Sequence, residues 1–133
     1  MALYAEDPSP APVAPEQVRN TLAKLRAEPY RGRVVVCDID GCPVAYAFLI
    51  SFWSNELGGE VCVIDELFVV PASRSRGLAT ALFARLANRE HALWPARAVA
   101  LALEVTPHNA RARALYERLG FCGENVAMRK LVN

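Results

Sequence analysis

Arg74-Ser75-Arg76-Gly77 brings two cations and a glycine to the point where an apolar strand gives way to an apolar-faced helix. Upstream, residues 61–70 are rich in Val, Ile and Phe and too continuously apolar for a half-exposed strand, so they read as a central strand covered on both faces. Downstream, Leu78, Leu82 and Leu86 recur every four residues with Ala79, Ala81, Phe83 and Ala84 between them, the pattern of a helix with a packed face. Pro71 ends the strand's hydrogen-bonding run, and Gly77 lets backbone approach a ligand where a Cβ would intrude. A helix N-terminus presents unpaired N–H groups and about half a positive charge, to which two arginines in the same turn add two full charges. The chemistry this predicts is anion binding, and a phosphate fits it. Asp65 and Glu66 interrupt the strand just before this loop. In a regular strand they point to opposite faces, so at most one serves a given site unless a bulge intervenes.

The elements that must position these groups fit into one domain. With 133 residues and 53% apolar content the chain can build a single substantial core and no second one. A formal net charge of +1 gives no reason to expect nucleic acid or an anionic membrane as partner. No basic n-region with a following apolar stretch opens the chain, and the longest apolar run, 44–50, is far below spanning length, so a soluble, cytoplasmic protein is expected. Cys37, Cys42, Cys62 and Cys122 form no C-x-x-C pair, and His91 and His108 have no companions at ligand spacing. Neither a disulfide framework nor a metal site is expected.

In chain order, the prolines 8, 10, 12 and 15 make residues 5–15 an extended loop. Pro15 then starts a helix with the stripe Val18, Leu22, Leu25, stopped by Pro29. Strands are expected at 33–38 and 42–53, joined by an Asp40-Gly41 turn, and a further turn at 54–59 leads into the central strand. Trp94-Pro95 ends the helix that begins at Gly77. Residues 97–105 alternate bulky Val99, Leu101, Leu103, Val105 with Ala98, Ala100, Ala102 and Glu104, which reads as a strand. Asn109 caps a second helix carrying Ala112, Leu115, Tyr116 and Leu119, Gly120-Phe121 closes it as a Schellman cap, and 126–131 forms a last strand. The strand-helix-strand unit over 61–105 must place its two strands parallel.

Two stretches carry a resemblance. Arg74-x-x-Gly77-x-Ala79 resembles the (Q/R)-x-x-G-x-(G/A) loop of the GNAT superfamily of acetyl-coenzyme A-dependent N-acetyltransferases, and Asp65-Glu-Leu-Phe-Val69 resembles the strand before that loop in polyamine and some aminoglycoside N-acetyltransferases. The second stretch is Leu103-Glu-Val105, then Asn109, Tyr116 and Gly120-Phe121, similar to the family's other signature and nearest to the ribosomal-protein N-terminal acetyltransferases. Both occur in the family's order, which is far more specific than either alone. The resemblance implies an α/β fold with a GNAT-like mixed central sheet flanked by helices. It also implies an abbreviated N-terminus, since only residues 1–14 precede the helix at Pro15 where the family has a strand and a long helix.

As implied by the resemblance, acetyl-coenzyme A is the acetyl donor, held by Leu67, Phe68, Val69, Arg74, Ser75, Arg76, Gly77, Leu78, Ala79, Thr80, Asn109, Ala112 and Tyr116. An acceptor amine of pKa ~10.4 is protonated at pH 7, so producing the nucleophile costs roughly 4–5 kcal/mol unless a base helps. Glu104 matches the base of the ribosomal-protein enzymes and Asp65 an acceptor-contacting acid of the polyamine enzymes; Glu66 is the third candidate. Each could instead be a solvated or Arg-paired strand-end carboxylate. Tyr116 is the candidate acid for the departing thiolate. With a thiol of pKa ~8.5 and a phenol of pKa ~10, that transfer is uphill by only roughly 2 kcal/mol. On spacing alone Tyr116 reads as a core tyrosine; its offset from Asn109 turns the reading toward function. The expected activity is acetyl transfer to a primary amine by direct attack, the acceptor a small molecule. Alternatives are a protein N-terminus as acceptor, or a non-catalytic acyl-coenzyme A-binding regulatory module. A homodimer is compatible with this reading.

Overall fold

The computed structural model describes residues 2–6, 13–123, 128–130 and 132. They fall into two compact units, Met1–Leu103 and Glu104–Asn133. The first opens with a short helix α1 (Ala2–Glu6), so Ala5 and Glu6 end a helix instead of starting the expected extended loop; residues 7–12 of that loop lie outside the described residues. Pro15 takes the first position of α2 (Pro15–Ala27), where its missing N–H costs nothing, and Gln17 Oε1 accepts the Ala14 N–H at 2.6 Å. A 3-10 turn at Pro29–Arg31 leads into the sheet.

Strands β1 (Gly32–Ile39) and β2 (Cys42–Ser54) form a hairpin whose corner residues, Asp40 (φ 53°) and Gly41 (φ 80°), both take the positive φ that a tight two-residue turn demands. β3 (Gly59–Val69) follows antiparallel to β2, α3 (Leu78–Ala87) crosses over, and β4 (Ala98–Leu103) returns parallel to β3. The order β1-β2-β3-β4 makes a mixed sheet with β3 inside, as its apolar sequence requires. Leu49 and Cys62 are fully enclosed at the centre, with Ala47, Val61, Ile64, Phe83, Leu86 and Trp94 buried around them.

Two boundaries differ from expectation. Helix α3 stops at Ala87, short of Trp94, because Arg89 turns to φ 57°, which no helix continues, and Glu90 N–H reaches back to Arg85 O at 3.0 Å. The chain then folds back on Glu90, whose carboxylate takes the Arg85 Nε–H at 2.6 Å. Strand β4 ends at Leu103, so Glu104 and Val105 lie beyond its ladder.

In the second unit, α4 (Ala110–Arg118) has Asn109 as its cap and ends in the anticipated Schellman geometry. Gly120 adopts φ 89°, its N–H bonds Glu117 O at 3.1 Å, and Phe121 N–H bonds Tyr116 O at 3.0 Å. Of the strand expected at 126–131, residues 126, 127 and 131 lie outside the described residues; Met128–Lys130, which are described, are not in a strand.

Candidate active site

The site is built on an irregularity in β3. Phe48 of β2 is opposite Glu66, but the next residue, Leu49, is opposite Ile64, so Asp65 is an extra, unmatched residue. Such a bulge resets the alternation of side chains. Ile64, Leu67 and Val69 therefore share one sheet face with Ala45, Ala47 and Leu49, while Glu66 and Phe68 share the other with Tyr46 and Phe48. Asp65 is exposed and Glu66 half-buried.

The bulge also marks where β3 parts from β4. Their ladder runs from Glu60↔Ala98 to Ile64↔Leu103 and stops there, so residues 66–69 keep β2 on one edge and have no β4 partner on the other. Main-chain N–H and C=O groups along that edge can pair with an extended, amide-bearing ligand. The edge leads straight to the loop. Val70 N–H still bonds Val44 O at 2.9 Å, Pro71–Ser73 makes a 3-10 turn, and Ser75 (φ 59°) and Gly77 (φ 79°) swing the chain into α3.

No side chain caps α3, and its first main-chain bond is Ala81 N–H to Gly77 O at 2.9 Å. The N–H groups of Leu78, Ala79 and Thr80 therefore have no partner within the helix and carry its positive end. A Cβ on Gly77 would meet nothing within 4 Å. Glycine is required here by the left-handed backbone, not by crowding from the protein, and the open space above the helix start is room for a ligand.

The two arginines part company. Arg74 is turned away from the helix start: its Nε–H donates to Val69 O at 2.8 Å, its Nη2 to Glu6 Oε2 at 2.6 Å, and its guanidinium stacks over the Phe68 ring at 5.6 Å. Its charge holds the end of β3 to α1. Arg76 is exposed and, among the described residues, enters no ion pair. It is the cation available to an anion at this loop.

Glu66 is the carboxylate whose surroundings favour proton traffic. Burial raises its pKa above the ordinary carboxylate value, and the Tyr46 hydroxyl donates to its Oε2 at 3.4 Å. Tyr46 carries no motif, and the register that brings it to Glu66 depends on a bulge that strand periodicity does not announce. On the opposite face, Leu67, Val69, Leu78 and Ala79 line a cleft of about 300 Å³ beneath α3, together with Val35, Ala45 and Ala47.

Thus Asp65, Glu66, Leu67, Phe68, Val69, Arg74, Ser75, Arg76, Gly77, Leu78, Ala79 and Thr80 meet in a single strand-loop-helix joint. Glu104, Asn109, Ala112 and Tyr116 belong to the second unit. There Asn109 Oδ1 accepts the Ala112 N–H at 3.1 Å, and the half-buried Tyr116 sets its ring against Phe121, centroids 6.0 Å apart and planes at 65°. Glu104 is exposed and, with β4 ending before it, does not extend the alanine face of that strand as expected. All four cysteines are free thiols, and burial beside Glu60 pushes the Cys62 thiol up to about 12. Among the described residues no cluster could hold a metal ion, and no helix is long and apolar enough to cross a membrane.

Comparison with known proteins gives a consistent result. The acetyltransferase (GNAT) family matches residues 2–121. The chain is 28% identical over 98 residues to the uncharacterized N-acetyltransferase YhfO of Bacillus subtilis (strain 168), covering 74% of this chain and 64% of that protein. It is 38% identical over 87 residues to the uncharacterized N-acetyltransferase MJ1207 of Methanocaldococcus jannaschii, covering 65% of this chain and 37% of that one. The match thus spans less than two thirds of either relative. Among solved structures, a possible acetyltransferase from Clostridium difficile 630 superposes with a TM-score of 0.75 at 20% identity, over 97% of this chain and 85% of that one.

Proposed function

The chain belongs to the acetyltransferase (GNAT) family, and from that premise we propose that it moves the acetyl group of acetyl-coenzyme A to a primary amine of a small molecule, by direct attack and within a single domain comprising both units. The observation that carries this reading is the joint of β3 and α3: a stretch of β3 with no β4 partner that leads to a helix start with no side-chain cap, beside an exposed arginine. Acetyl-coenzyme A is an amide-bearing arm attached to a pyrophosphate, and the two halves of the joint suit those two parts. The helix-start N–H groups of Leu78, Ala79 and Thr80, with Arg76, hold the pyrophosphate. The edge at 66–69 pairs with the amides of the arm and fixes the thioester in position.

Glu66 takes the proton of the attacking amine. A base works best with a pKa near the working pH, and burial moves Glu66 in that direction. Tyr116 supplies the proton to the departing thiolate, the role the family resemblance implies. Attack forms the N–C bond, the C–S bond breaks, the amine's proton goes to Glu66 and the thiolate takes one from Tyr116. Glu104 is the comparison for the base role.

The binding half is tested by thermal shift with coenzyme A and with acetyl-coenzyme A. Each should raise the melting temperature of the wild type and leave Gly77→Asp unshifted, because Asp tolerates the left-handed backbone better than most residues yet places a negative charge against the pyrophosphate. Equal shifts in both proteins would remove the loop from the site.

A further inference from the structure

Resting on the reading of Glu66 as base, we propose that Tyr46 is a positioning residue that holds the Glu66 carboxylate in place for the amine at a smaller loss of basicity than a cationic partner would cause. Tyr46 lies on β2 directly opposite Phe68, one step along the same sheet face from Glu66. Its ring is fixed on two sides, edge-on to Phe48 with centroids 5.8 Å apart and tilted against Phe68 at 5.9 Å. A ring so confined can aim its hydroxyl in few directions, and the direction it takes is Glu66 Oε2, at 3.4 Å. That leaves Oε1 for the incoming amine.

A neutral donor matters here. A guanidinium bonded to Glu66 would hold the carboxylate equally well but stabilise its charge and depress its basicity. Arg74, farther along the same end of β3, is engaged elsewhere: it stacks over Phe68 while Glu6 of α1 and the carbonyl of Val69 take its N–H groups. The charge of the chain's N-terminus lowers the Glu66 pKa, by less than burial raises it. Asp65, the neighbouring acid, is exposed in the bulge and has interactions of its own. Burial raises the Tyr46 phenol, so it remains a protonated donor over the working range. Hydrogen bonding to the ionised form of an acid lowers its pKa, so loss of this donor should raise that of Glu66.

The test combines Tyr46→Phe, Glu66→Gln and the double variant. NMR titration of the Glu66 carboxyl in the free protein should show its midpoint moving up in Tyr46→Phe by about 0.5–1 pH unit, the scale of one hydrogen bond. The acid limb of kcat/KM against pH should move the same way, with KM for acetyl-coenzyme A unchanged. Tyr46→Phe should add nothing to the loss already caused by Glu66→Gln. An unmoved midpoint, or a uniform fall in rate that is additive with Glu66→Gln, would overturn the positioning role. If Glu66→Gln keeps wild-type turnover while the midpoint still moves in Tyr46→Phe, it is the base assignment that fails, and the two failures are told apart.

Discussion

At the scale of single residues, Arg74 and Arg76 show how two like side chains in one motif acquire different work. Both add charge to the loop, but Arg74 has its Nε and one Nη engaged by Val69 and Glu6, whereas Arg76 is exposed. Arg76→Ala should therefore weaken coenzyme A binding by about 1–3 kcal/mol in calorimetric titration and leave the melting temperature unchanged. Arg74→Ala should cost roughly 1–2 kcal/mol of stability, seen in denaturant unfolding, with the larger part of any binding loss following from a loosened β3 end. Glu66 gives a prediction of opposite sign. Its folded pKa is raised above the unfolded value, so the folded state holds the proton more tightly and stability falls as pH rises through the interval between the two. Glu66→Gln should melt higher than the wild type at pH 7, with the advantage vanishing below pH ~4.3, the ordinary value for Glu. A wild type more stable than Glu66→Gln at pH 7 would mean that the carboxylate is paired more strongly than its surroundings indicate.

At the scale of elements, what the sequence disclosed was what local chemistry decides. Pro15, the Asp40-Gly41 corner, Asn109 and Gly120 each demand a particular backbone, and each sits where its residue type predicts. The parallel pairing of β3 with β4 was legible from the single helix that lies between them in the chain. What stayed hidden depends on partners distant in sequence. The bulge at Asp65 is a property of two strands together, and so is the Tyr46–Glu66 contact that it sets up. The early end of β4, which takes Glu104 off the strand, reflects the parting of β3 from β4 at that same bulge. If the bulge is what opens the strand edge, deleting Asp65 should leave Ile64 and Glu66 on their present faces and make the β2–β3 ladder continuous. The variant should fold and lose tenfold or more in acetyl-coenzyme A affinity, about 1.4 kcal/mol. Wild-type affinity in a folded deletion variant, measured by calorimetry, would show that the edge does not need the bulge.

At the scale of the whole molecule, the family match runs from residue 2 to residue 121 and so through both compact units. The cofactor loop and the bulged strand lie in the first unit; Asn109 and Tyr116 lie in the second. The central claim is that this chain catalyses amine acetylation rather than only holding an acyl-coenzyme A. The direct measurement is thiol release from acetyl-coenzyme A by the purified protein, followed over a panel of small primary amines, with Gly77→Asp and Tyr116→Phe run alongside. Release should depend on one class of amine, be absent in Gly77→Asp, and fall by roughly 10²–10³ in Tyr116→Phe at saturating substrate. Acetyl-coenzyme A binding with no amine-dependent release across the panel would contradict the central claim and leave a binding module in place of an enzyme.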